Sequence, residues 1–233
     1  MKEYKPWKTE ADVERLTFKK TSKNCIGSGA FGDVYLGRVK FKGEKSKRVA
    51  VKVFLALGHG NMWRRHYEAV IQKLHGEGAP IPKTSFVEHE GQHVQVMELF
   101  GAKEKGSKIK NVFLSKHTEQ NRTELINAIC SIVNAGYYPP SDAIGFRSTK
   151  YGPKAIIHDL DNLALQHTVG EFSRFSQSSS SSPEYIAGAV YVWAKLLAHH
   201  WGVKRTVALD EMKRGIRLRK IVKAIEELEE KLQ

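Results

Sequence analysis

IGSGAFGDVYLG, residues 26–37, and VAVKVF, residues 49–54, decide how this chain folds. Glycines 27, 29 and 32 form a G-x-G-x-x-G pattern. That spacing alone is weak, because it also opens the helix of dinucleotide-binding βαβ units. Here the chain continues after Gly32 as DVYLGRV, whose Val, Tyr and Leu favour a strand. The stretch therefore predicts a strand, a glycine turn with Phe31 near its tip, and a second strand, with VAVKVF as the next. Such a turn lets the backbone fold closely over phosphate groups, and Lys52 would add an ammonium beside them.

Outward from this centre, Asn24–Val39 and Arg48–Leu55 read as strands joined by the basic turn KFKGEKSKR, residues 40–48. Met62–Leu74 carries Tyr67, Val70, Ile71 and Leu74 at helical spacing, and GEGAPIP, residues 76–82, ends that helix. Glu68 on it is the obvious carboxylate to aim Lys52. TSFVEHE and HVQVMELF are strand-like. After Gly101 a polar connector leads to a helix over Thr123–Ala135 and a loop, GYYPPSD, residues 136–142, which two prolines keep out of helix. AIIHDLDNLAL, residues 155–165, starts as a buried strand and changes character at Asp159. SQSSSSSP, residues 176–183, is low in complexity. Tyr185–His200 and Ala208–Leu232 read as helices. The pattern is α+β: a β-rich N-terminal lobe of about residues 15–98, a hinge near 98–102, and an α-rich lobe over 103–233, together one domain over 1–233.

The chain has 233 residues and a net charge of +13. Hydrophobic residues make up 41%, ordinary for a chain that buries a core, yet no apolar run reaches the length of a membrane span. The charged N-terminus lacks a signal-peptide core. Cys25 and Cys130 lie far apart and read as free thiols in a reducing compartment, which points to the cytoplasm or nucleus. The excess charge favours polyanionic partners, but no nucleic-acid motif accompanies it. Adjacent histidines such as His199 and His200 do not face one site on a helix, so a structural zinc is not expected.

A strand–glycine loop–strand hairpin followed by V-A-V-K is the protein-kinase arrangement. IGSGAFGDVYLG resembles the glycine loop of casein kinase I. YEAVIQKLHGEGAPIPKTSFVEHEGQHVQVMELFG is similar to that family's helix C, connector and hinge strand. The resemblance covers about residues 24–101. It implies a two-lobed kinase-like fold in which ATP is held by Ile26, Gly27, Ser28, Gly29, Ala30, Phe31, Gly32, Val34, Ala50 and Lys52, with Met97 as gatekeeper and Glu98 and Phe100 contacting adenine through the backbone.

The second half departs from the pattern. The kinase catalytic loop H-R-D-x-x-x-x-N has its counterpart in P-P-S-D-A-I-G-F-R. Aligned without gaps, Asp142 falls on the catalytic Asp, with Pro140 and Ser141 replacing His and Arg, and the lysine and metal-binding Asn have no counterpart. A shifted register places Asp142 on the Asn position and a tyrosine where the base belongs; the helix pattern favours the first. Asp142 read alone is also an ordinary turn residue after prolines. D-F-G becomes Asp159-Leu160-Asp161, whose carboxylates suit Mg²⁺ or Mn²⁺, with Asn162 a further candidate. Ser182-Pro183-Glu184 resembles the A-P-E that closes an activation segment. YVWAKLL, residues 191–197, looks like the helix that follows it, and the helical lobe is shortened.

The resemblance implies a small Ser/Thr protein kinase acting as a monomer on acidic or phosphorylated proteins. The serine run at 178–182 would serve as a spacer or autophosphorylation site. The losses around Asp142 point instead to a pseudokinase, a nucleotide-binding scaffold. A small-molecule phosphotransferase would call for larger insertions than the chain has.

Overall fold

Val-rich strands with a period of two build the first part of the molecule, and helices build the second. The computed structural model describes residues 7–8, 10–29, 31–55, 60–99, 110–111, 118–149, 152–172 and 182–232. Two compact units make up the chain, residues 1–68 with 82–109 and residues 69–81 with 110–233.

In the first unit, β1 (Val13–Phe18), β2 (Cys25–Gly29), β3 (Gly32–Phe41), β4 (Lys47–Phe54), β5 (Thr84–His89) and β6 (Gln92–Glu98) form one curled antiparallel sheet. Its order is β1-β3-β4-β6-β5, with β2 beside β1 on the same edge of β3. Alternation sends Leu16, Val39, Phe41, Val49, Val51, Val87, Val94 and Val96 to one face, where they form a buried cluster. Burying each such side chain contributes about 1.5–3 kcal/mol. Trp7 meets Phe41 edge-on, with ring centroids 5.4 Å apart. The other face is covered in part by α1 (Gly60–Gly76), whose Tyr67 lies 5.3 Å from the ring of Phe54 and 6.3 Å from that of Phe86. β1 stands where the sequence suggested only a polar segment. In VERLTF just Leu16 is buried, so an edge strand with one inward side chain carries almost no hydrophobic signal.

The second unit contains β7 (Lys110–Asn111), β8 (Ile144–Thr149) and β9 (Gly152–Ile157), paired in that order. Around them lie α2 (Glu119–Asn134), α3 (Asp161–Phe172), α4 (Pro183–Trp201), α5 (Arg205–Gly215) and α6 (Arg219–Lys231). Thr118 caps α2 by accepting from the Asn121 amide, and Leu125, Ile129, Ile132 and Val133 on it are buried. The Ile157 amide donates to the Pro80 carbonyl at 2.9 Å, which ties β9 to the connector after α1.

Two expectations need correcting here. Residues 144–147, read as part of a loop, begin β8. A short strand is stabilised by its partner β9, with Ile144 across from Ile157, and leaves little trace in its own composition. Ala208–Leu232 is not one helix but two. The break falls at Gly215, where a β-carbon would lie 2.7 Å from the Cys130 sulfur, and the extended Ile216 turns inward to 5% exposure.

Candidate functional site

The glycine hairpin is built by β2 and β3. Gly27 lies across from Val34, Ser28 from Asp33, and Gly29 from Gly32, and the Ser28 hydroxyl donates to Asp33 Oδ1 at 2.6 Å. The three glycines differ in why they are glycine. A β-carbon on Gly32 would stand 2.3 Å from the Val53 carbonyl oxygen, so β3 could not meet β4 there with any side chain. On Gly27 it would meet only Val34 at ordinary contact, and on Gly29 nothing within 4 Å. The fold needs the third glycine and leaves the first two unexplained. Glycine in a strand often marks a place where another group comes close to the backbone.

Register sets the candidate residues on β3, β4 and β6. Lys52 lies across from Val34 on one side and Gln95 on the other, and Ala50 lies across from Leu36 and Met97. Side chains of directly opposed residues share a face, so Val34, Ala50, Lys52 and Met97 stand on one side of the sheet, opposite the valine core. Glu98 follows Met97, across from Val49. Lys52 is 7% exposed, and its ammonium lies 5.7 Å from the ring centroids of both Phe54 and Tyr67. Glu68, expected to aim Lys52, accepts from Arg64 Nε at 2.9 Å, one helical turn earlier. Ile26 and Phe31 are half-buried. Ala30 and Phe100 lie outside the described residues.

In the second unit, Asp142 and Asp159 flank the β8–β9 pair. The His158 amide donates to the Ala143 carbonyl at 2.9 Å, extending the ladder one step beyond Ile144 and Ile157 toward both aspartates. Burial holds the His158 imidazole below its usual range, against the opposing pull of the Asp159 and Asp142 carboxylates. Asp159 Oδ1 accepts from the Asp161 amide at 3.0 Å, and Asp161, 7% exposed, opens α3. These are hard oxygen donors two residues apart. They suit a Mg²⁺ held by one or two carboxylates and phosphate oxygens, although among the described residues no group of three His, Cys, Asp or Glu is placed to hold a metal.

Asp142 is exposed, at a turn whose backbone is pinned from behind. Gln166, 5% exposed, accepts from the Tyr138 amide at 2.9 Å and donates to the Tyr138 carbonyl at 3.2 Å. Trp193 Nε1 donates to the Pro139 carbonyl at 2.8 Å. Neither residue emerged as a site residue from the sequence. A buried Trp must satisfy its N–H, but nothing local says with which carbonyl.

A groove of about 710 Å³ borders this turn. Tyr185, Gly188, Ala189, Val192 and Leu196 of α4 line it, with Tyr138, Asp142, Asn162 and Glu184. The rings of Tyr138 and Tyr185 meet edge-on at 5.3 Å. Burial, then Tyr185 and Asp142, raise the Tyr138 phenol above its usual range. Ser182 caps α4, accepting from the Tyr185 amide at 3.2 Å, and Pro183 occupies the first turn. The Glu184 carboxyl is held below its usual range by its own amide, then by the Ser182 hydroxyl, with a smaller contribution from Lys220.

Comparison with protein-family profiles and with curated proteins finds no match for this chain. Among the described residues no helix is long and apolar enough to cross a membrane.

Proposed function

We propose that the chain is a divergent, two-lobed Ser/Thr protein kinase that moves the γ-phosphate of ATP to a hydroxyl. The observation that carries this reading is the pair Gly27 and Gly29, glycines the fold does not call for, on a hairpin whose sheet face also bears the buried Lys52. A glycine-rich hairpin over ATP phosphates and a lysine on the following strand are the parts a kinase uses to hold them. The strand order, with a helix between β4 and β5, supports the same reading, as do Val34, Ala50 and Met97 on the face of Lys52. On this reading Asp159 and Asp161 would hold Mg²⁺, which would neutralise charge on the phosphates, and Asp142 would orient the nucleophile, so catalysis would rest on positioning and charge neutralisation.

The test is γ-phosphate transfer by purified protein with Mg²⁺ or Mn²⁺, to itself and to casein, beside Lys52→Ala and Asp159→Ala. Transfer lost in both variants is the expected result. One observation favours a second reading, a pseudokinase that binds ATP without transferring phosphate: Pro140 and Ser141 stand before Asp142 where the kinase loop has His and Arg, with no counterpart of its lysine or metal-binding Asn. An ATP-induced rise in melting temperature without transfer to any acceptor would establish that reading instead.

A further inference from the structure

The groove beside Asp142 has a composition at odds with the acidic substrates that family resemblance implies. Among the described residues that line it, the charged ones are Asp142 and Glu184, with no Lys, Arg or His. This described lining is acidic although the chain as a whole carries +13, and Lys220 stands near enough to Glu184 to act on its carboxyl. Beside the carboxylates stand the rings of Tyr138 and Tyr185, whose faces attract cations. The remaining wall is apolar and open: Val192 is 54% exposed and Tyr185 52%, on a helix face continued by Ala189 and Leu196. The lining also has a length. From Tyr185 to Leu196 a helix rises about 16 Å. An extended peptide covers that distance in about five residues. A compact amine would use only part of it.

We propose that this groove binds an extended peptide segment carrying Arg or Lys next to an apolar residue. The cation pairs with Glu184 and the tyrosine rings, and the apolar side chain covers Val192 and Leu196. Where the segment also carries Ser or Thr, its hydroxyl reaches Asp142; this last clause rests on the kinase reading, whereas the binding does not. Glu184 suits the cation because it sits at the start of α4, fixed by the Ser182 cap. Val192 suits the apolar residue because it stands exposed on one helix face with Tyr185, Ala189 and Leu196, a contiguous patch rather than an isolated side chain.

The experiment uses the whole chain and three fluorescein-labelled nonapeptides with a central serine, flanked by Arg and Leu, by Glu and Leu, or by Arg and Gly. Anisotropy titrations should rank the Arg–Leu peptide about tenfold tighter than either of the others. Glu184→Gln should remove most of its advantage over the Glu–Leu peptide, and Val192→Ser its advantage over the Arg–Gly peptide. Circular dichroism melts check that both variants fold; if Val192→Ser fails it is replaced by Leu196→Ser, and if Glu184→Gln fails it is replaced by Glu184→Ala, each read in the same way. Equal binding of all three peptides, tighter binding of the Glu–Leu peptide, or an advantage untouched by the variants overturns the proposal. Competition by arginine amide as effective as by the unlabelled Arg–Leu peptide also overturns it, in favour of a small-amine site. Phosphate transfer is followed in the same samples. Selective binding without transfer removes the kinase reading and leaves the groove standing; transfer without selective binding does the reverse.

Discussion

The hairpin around Lys52 and the turn around Asp142 are held in place by different kinds of bond. On the sheet, backbone ladders decide where each candidate stands: once β3, β4 and β6 are in register, Val34, Ala50, Lys52 and Met97 must share a face. At the turn no ladder reaches Asp142. Side chains distant in sequence do the work, with Gln166 holding both polar groups of Tyr138 and Trp193 holding Pro139. A site placed by a ladder is shared among many weak bonds, whereas one placed by two side chains depends on each of them.

The largest effect is expected where chemistry and ladder coincide. Lys52→Ala should lower phosphate transfer about 100-fold or more, the scale of losing one fixed charge-stabilising donor, with the fold retained. Transfer left intact would separate the sheet from the function altogether. Next comes the contrast between glycines of one hairpin. Gly32→Ala should destabilise the protein by about 3 kcal/mol in urea, because its new methyl meets the Val53 carbonyl. Gly29→Ala should leave stability within about 1 kcal/mol while weakening ATP binding measured by calorimetry. At the turn, Gln166→Leu leaves the Tyr138 amide and carbonyl unpaired, at a cost of about 2 kcal/mol or more. It should also slow transfer although Gln166 itself is not on the reacting side; a stability loss with unchanged transfer would mean that the turn keeps its geometry without it.

The effect confined to alkaline pH lies in the packed helices, and at neutral pH it vanishes. Burial pushes the Cys130 thiol up to about 12 from an ordinary 9.0. Between those values the unfolded chain ionises this thiol and the folded chain does not, so stability falls as pH rises through the window, by at most about 1.4 kcal/mol per pH unit. Cys130→Ala should remove that part of the alkaline slope, and at pH 8 a maleimide should leave Cys130 unmodified until urea is added.

The same division explains what could be read from the sequence. Period-two alternation in VAVKVF and HVQVMELF carries the sheet, and the glycine spacing carries the hairpin, because both are local patterns with a physical period. β1 escaped because VERLTF turns one residue inward, and β8 because its strand character comes from β9. The helix over residues 208–232 kept its apolar spacing through a break that a contact with α2 imposes. Gln166 was invisible for a related reason: its bonds to Tyr138 are decided only once α3 and the turn are in place. The Arg64–Glu68 pair, by contrast, lies within one turn of one helix and is legible from its i, i+4 spacing.

The contact between Gly215 and Cys130 has a consequence for how this chain is able to vary. The sulfur occupies the space that any side chain at 215 would need. Alanine at 215 is therefore penalised while cysteine stands at 130, and much less so once 130 is alanine, whose own β-carbon leaves a close contact of 3.3 Å. The constraint is one-sided: 130 can shorten alone, whereas 215 can take a side chain only after 130 has shortened. The order of two substitutions thus decides whether this junction of helices accepts them, with no change to any residue of the hairpin or the turn.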